Sequence, residues 1–343
     1  MIAQQEQVVL KMVNLLASGC RHILTAICTF AASTWLLMPA PSMAQTYPSR
    51  PIKIVVPYSP GGSTDVIARV IGEHMSGTLK QPVIIENKVG ASGKIGSLAV
   101  VNAPADGYTL LATNMGPGAL VAAVETKAPY HPVTDFSPIS LTATMPLMIC
   151  VAADSPYQSV KDLLNDARSK PGQLNFATTG VGGTSHLANA LMARTAGVKF
   201  QSIPYKGGPD VVQALLTQQA AYTISPPSDV AALIKGGKLR ALAVLQKARS
   251  PLAPQVPGIV ESGGPDIEIE YWNGMLAPAN TPAPIIEALN RAIAMALESP
   301  SVRSRLESIV VPNHTTSAQF KAIISNDLAK WTKVAQDANI KVE

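Results

Sequence analysis

Twice in this chain a short β-branched run leads through a glycine-rich turn into apolar residues at helical spacing, and no other feature constrains the fold as strongly. In the first copy Ile52–Pro57 leads through Tyr58-Ser-Pro-Gly-Gly-Ser-Thr64 into Asp65–Met75. In the second, Leu174–Thr178 leads through Gly180-Val-Gly-Gly-Thr-Ser185 into His186–Ala196. Strands are predicted at 82–86 and 108–113 after the first copy and at 200–204, 221–225 and 239–245 after the second, with helices through 101 and over 160–170 and 210–218. Strand, helix, strand in repetition argues for α/β units in which a mostly parallel sheet is flanked by helices and crossovers are right-handed. An extended stretch over 139–151 and a Pro/Gly-rich stretch over 246–270 are the natural crossings between two such units. The strand 271–277 and helices over 283–298, 301–308 and 317–338 close the chain.

At 343 residues the length suits two domains. Apolar residues make up 47% and charged residues 14%, enough for a sizeable core and too hydrophobic for wholesale disorder. The net charge of +5 is scattered rather than clustered, and aromatics reach 5%, so neither a nucleic-acid groove nor a stacking platform is expected. The five histidines stand apart and the three cysteines form no C-x-x-C pair, so no metal site is expected.

Residues 1–44 read as a secretory signal peptide. Arg21-His22 precedes an apolar run, Ile23–Met38, and Ser42-Met43-Ala44 supplies small residues at the −3 and −1 positions of a cleavage site. The run of about 16 residues falls short of the roughly 20 that a spanning helix needs. Cleavage after Ala44 leaves Cys150 as the only cysteine, and the mature protein reads as soluble and exported.

Catalytic motifs fail on inspection. Gly90–Gly96 is similar to a phosphate loop, but Ile95 stands where Ser or Thr is needed and Lys88 where the first glycine belongs. Gly180–Ser185 would need glycine at Ser185 to be a dinucleotide fingerprint, and Gly183–Leu187 lacks the second glycine of a nucleophile elbow. The two glycine turns do share one physical device. Glycine lets backbone approach a ligand closely, and a helix start offers unpaired N–H groups and the positive end of the helix dipole. Each turn is thus a ready anion site, with hydroxyls at Ser63, Thr64, Thr184 and Ser185 beside it. Simple N-capping by those hydroxyls is the alternative.

Several blocks carry a family resemblance: Pro57–Asp65, Glu86-Asn87, Pro104–Leu110, Gly180–Leu187, Pro204–Gly207, Gly237–Ala243, and Trp272–Pro278 with Thr281-Pro282. In this order they resemble the periplasmic substrate-binding receptors of tripartite tricarboxylate transporters, the Bug family. The resemblance implies a two-lobed Venus-flytrap fold, with lobe 1 over 45–144 and 269–343 and lobe 2 over 145–268. It implies no catalysis and no cofactor, and an organic acid held by backbone amides, hydroxyls and water. Carried over residue by residue, it places Tyr58, Ser59, Gly62, Ser63, Thr64 and Asp65 of the first turn at the ligand, with Thr113 and Asn114 after the third strand. From lobe 2 it adds Thr178, Gly182, Gly183, Thr184, Ser185 and His186, then Tyr205, Lys206, Gly207 and Ser225. Where the family often has an aspartate after the strand 221–224, this chain has Ser225-Pro-Pro-Ser228, which tilts the expected ligand toward a plain carboxylate. The implied partners are membrane permease subunits, with a monomeric receptor and no nucleic acid. A sensory protein serving a histidine kinase, or a secreted enzyme of the same fold, are the rival readings.

Overall fold

A computed structural model describes residues 47–205 and 207–342, together with Met12; the expected leader otherwise lies outside the described residues. The chain builds two sheets in turn. Strands β1 (Ile52–Val56), β2 (Val83–Asn87), β3 (Thr109–Asn114), β4 (Phe136–Pro146), β10 (Glu270–Pro278) and β11 (Val311–Pro312) form one, in the order β11-β4-β10-β3-β1-β2. Strands β5 (Met148–Ala152), β6 (Asn175–Thr178), β7 (Gln201–Pro204), β8 (Tyr222–Ser225) and β9 (Leu239–Val244) form the other, in the order β7-β6-β8-β5-β9.

Parallel pairing holds where a helix links successive strands: β1 with β2 and β3, and β6 with β7 and β8. The remaining pairings are antiparallel, so both sheets are mixed. The cause lies in the strands that pass between sheets. β4 and β5 are one extended run broken only at Leu147, and β10 returns from the second sheet to insert between β3 and β4. The two crossings are tied together, as Leu245 N–H donates to Leu147 O at 2.8 Å and Ile269 N–H to Leu245 O at 2.7 Å.

Helices cover both faces of each sheet. α1 (Ser63–Leu79), α8 (Ala283–Glu298) and α9 (Pro300–Leu306) bury Ile67, Ile71, Met75, Leu289 and Ile293 against Ile52, Ile54 and Leu110. On the opposite face lie α2 (Lys94–Val101), a π-turn at Gly116–Leu120, α3 (Val121–Val124) and α10 (Ser317–Asp337). Their apolar cluster continues into the second sheet through Leu147 and Ile149 to α4 (Val160–Ser169) and α5 (Thr184–Ala196). α6 (Gly208–Leu216) and α7 (Pro227–Lys235) close the last face with Val211, Leu215 and Val230. Gly274 lets that cross-lobe core close, since a Cβ there would stand 2.1 Å from the Phe320 ring. Among the described residues no helix is long and apolar enough to cross a membrane.

Candidate functional site

The first glycine turn follows β1. Gly61 takes a left-handed φ of +88°, Gly62 is extended at the N-cap, and α1 starts at Ser63. No side chain caps that helix start. Instead Gly61 N–H donates to Asp65 Oδ2 at 2.9 Å from within the first helical turn. The same carboxylate accepts from Arg69 Nε at 2.9 Å and, through Oδ1, from Asn87 Nδ2 at 2.8 Å. Burial pushes the Asp65 acid up, but these bonds outweigh it and hold it below its usual 3.8. With only 2% exposure and both oxygens engaged, Asp65 braces the turn rather than facing a ligand.

The second turn follows β6 and repeats that backbone. Gly182 has φ +76°, Gly183 is extended at the N-cap, and α5 starts at Thr184, again with no side-chain cap. Here the brace is His186, whose Nδ1 accepts from Gly182 N–H at 3.0 Å. Burial lowers the pKa of His186 and favours the neutral ring, with its proton on Nε2. The hydroxyls also correspond. Thr64 and Ser185 are buried and tied inward, Ser185 to Thr178 Oγ1 at 2.7 Å. Ser63 and Thr184 are half-buried, and their side chains make no hydrogen bond among the described residues.

A polar floor joins the first turn to the sheet. Tyr58 Oη donates to Asn114 Oδ1 at 2.9 Å, Asn114 Nδ2 to Thr64 Oγ1 at 3.3 Å, and Thr64 Oγ1 to Asn273 Oδ1 at 2.8 Å. Burial raises the Tyr58 phenol well above its usual range, so it remains a donor. Thr113, expected beside Asn114, is fully buried. Its methyl packs 3.5 Å from where a Cβ on Gly118 would stand, so alternation along β3 turns it into the core.

The second turn opens onto a cavity of about 200 Å³. Thr179, Gly180, Val181, Gly182 and Gly183 form one wall; Ala91, Ser92, Lys94, Gly116, Leu120, Val121, Val124, Glu125 and Val342 form the rest. The tip of the first turn is absent from this lining and reaches it only through Tyr58, which lies beside Gly116. Lys94 is neutralised there by Glu125 at 2.7 Å, so the wall carries no unpaired charge from these two. Gly182 closes against the first lobe; a Cβ on it would stand 2.8 Å from a Val342 methyl and 3.0 Å from one of Val124.

Sequence reasoning dismissed Gly90–Gly93 as a failed phosphate loop, yet this turn lines the cavity. It has positive φ at all four residues, Ala91 and Ser92 included. Its signal was a third glycine-rich turn between a strand and a helix. Tyr205 N–H donates to Thr178 O at 2.8 Å, and Gly207 is the extended N-cap of α6. Ser225 is buried beside Thr223 at 3.3 Å, and Asp229 stands in the first turn of α7 with its carboxylate close to Gly208. Lys206 lies outside the described residues.

Comparison with known proteins decides what such a site belongs to. The family model of the tripartite tricarboxylate transporter family receptor matches residues 67–340. This chain belongs to that receptor family. Protein BugT of Bordetella pertussis is 34% identical over 324 residues, covering 94% of this chain and 99% of BugT. A solved R. palustris protein with adipate superposes with a TM-score of 0.77 at 33% identity, covering 86% of this chain and 99% of that one. MatC from Rhodopseudomonas palustris with bound malate gives 0.72 at 30% identity, over 84% and 99%. The receptor is therefore a solute-binding protein of the two-lobed periplasmic type and not an enzyme.

Proposed function

We propose that this receptor captures a small organic acid between its lobes in the periplasm and delivers it to a tripartite tricarboxylate-type membrane transporter, after export by a cleaved leader over 1–44. The observation that carries the reading is the duplicated turn. Two long helices, α1 and α5, start behind a Gly-Gly pair with no side-chain cap, so their first N–H groups remain available to an anion. Adipate and malate in two family structures supply the ligand class.

In this reading the second lobe grips with Thr178, Gly182, Gly183, Thr184 and Ser185, and His186 holds the turn. Tyr205, Lys206, Gly207 and Ser225 complete that wall. Tyr58, Ser59, Gly62, Ser63, Thr64 and Asn114 serve from the first lobe, with Asp65 as the brace. Lobe 1 comprises 45–144 and 269–343, and lobe 2 comprises 145–268. Opening and closing turn about the tied crossings at Leu147 and Leu245, and a ligand touching both lobes favours closure by its differential affinity.

Thermal-shift screening of the purified monomer against mono-, di- and tricarboxylates and aromatic acids tests the reading. A rise in melting temperature with saturable calorimetric binding of at least one acid is expected, since a ligand of the native state stabilises by mass action. Failure of every acid to bind would exclude the carboxylate reading. Transport of that acid by cells carrying the permease, lost on deletion of the receptor, tests delivery.

A further inference from the structure

One amide of the first sheet has a donor with no partner among the described residues. Asn273, the fourth residue of β10, pairs in register with Asn114 at the end of β3, and it is 1% exposed. Its Nδ2 is buried and has no hydrogen-bond partner. The orientation of that amide follows from a group with only one role. Gly116 N–H can only donate, and it donates to Asn114 Oδ1 at 3.0 Å, as Tyr58 Oη does at 2.9 Å. Asn114 Nδ2 therefore faces Thr64 and donates to its Oγ1, which sends its own hydrogen to Asn273 Oδ1. Turning the Asn273 amide over would leave the Thr64 hydrogen without that acceptor. The chain thus fixes an NH2 group, two hydrogens unused, beside the uncapped first turn of α1.

Native proteins seldom retain a buried donor unpaired, because its lost hydration is not replaced. We infer that Asn273 Nδ2 donates to a carboxylate oxygen of the bound ligand, so that this side chain selects a free carboxylate at the first-lobe end of the cleft. The inference rests on the receptor reading and adds a residue that contacts and selects the ligand. The α1 dipole and the Asn273 amide then act on one anion from adjacent sides.

Malate and adipate, titrated calorimetrically into wild type and Asn273→Asp, test it. The variant is isosteric and keeps an acceptor for Thr64, but sets an anionic oxygen where the NH2 stood. Affinity should fall by about 100-fold, and adipate monomethyl ester should lose less than adipate. Wild-type affinity in the variant would overturn the inference and leave the receptor reading standing. Binding of neither acid by wild type, with no other acid of the panel binding, would remove both. Should Asn273→Asp not fold, the side-chain 15N amide signals of Asn273 in wild type decide, assigned by their loss in Asn273→Ser. A shift on adding the acid supports the inference; unmoved signals mean an amide satisfied by enclosed water and overturn it.

Discussion

The two glycine turns share a backbone and differ in what holds it. In both, a left-handed glycine precedes an extended glycine at the N-cap, and the residue four positions after the left-handed glycine accepts its N–H. The first uses a carboxylate locked by Arg69 and Asn87; the second uses a neutral imidazole. The first is sealed onto β10 through Thr64, while the second presses onto Val124 of α3 and Val342 near the C-terminus. Turn geometry can thus recur within one molecule while its charge support does not. Side-chain capping boxes occur at α4 (Ser159) and α10 (Thr316), while the other described α-helices start without one. What α1 and α5 share beyond that is the left-handed glycine whose N–H is held from the first helical turn.

Placing a cap there should have the largest effect. In Gly62→Asp and Gly183→Asp the new Cβ meets nothing nearer than 3.7 Å and 3.4 Å, at φ values of −71° and −72°. The added carboxylate caps the helix and occupies the anion position. Carboxylate affinity should fall by about 100-fold or more with little change in melting temperature. Loss in only one variant would show that one turn alone binds.

Removing the braces comes next. Asp65→Ala strands Gly61 N–H and one hydrogen of the Asn87 amide, whose other donates to Tyr58 O, and should cost about 2–3 kcal/mol; His186→Ala strands one N–H and should cost about 1 kcal/mol. Urea unfolding of the pair measures the difference, and equal values would dissolve the contrast. Smaller still is the gap between Gly182→Ala, about 2 kcal/mol, and Gly61→Ala, about 1 kcal/mol. Both force alanine into a left-handed conformation, but only at position 182 does the methyl meet the other lobe.

The smallest effect is with pH. His186 has a folded pKa below 6.5, so the unfolded chain takes up the proton first, and stability falls as pH drops below 6.5 toward the folded value. Asp65, held below 3.8, keeps its contribution until the pH falls below 3.8 toward that lower value. Mild acid therefore loosens the second turn and spares the first. Between pH 7 and 5.5, His186→Gln should lose less stability than wild type in urea titrations; an identical loss would assign the pH dependence to other groups.

The turns and most elements were legible because glycine, hydroxyl and apolar spacing act locally. α1 begins at Ser63, two residues before the expected start, and α5 begins at Thr184 rather than His186, because the N-cap role falls to glycine. The π-turn and α3 over 116–124 were missed, since Gly116-Pro-Gly118 reads as a breaker. α7 was hidden in the same way: Ser225-Pro-Pro reads as a loop, whereas proline at the first helical position starts a helix. Nothing in Trp272-Asn-Gly reveals an unpaired amide, because its partners lie 159 and 209 residues away in sequence.

Composition and periodicity were enough to set two α/β units and two glycine turns at helix starts, since those depend on φ freedom and on burial within a few residues. Which strands of the first sheet pair antiparallel with β10, and which amide is left without a partner among the described residues, depended on where β10 inserts. That insertion is settled by packing across the whole chain, and no local window contains it.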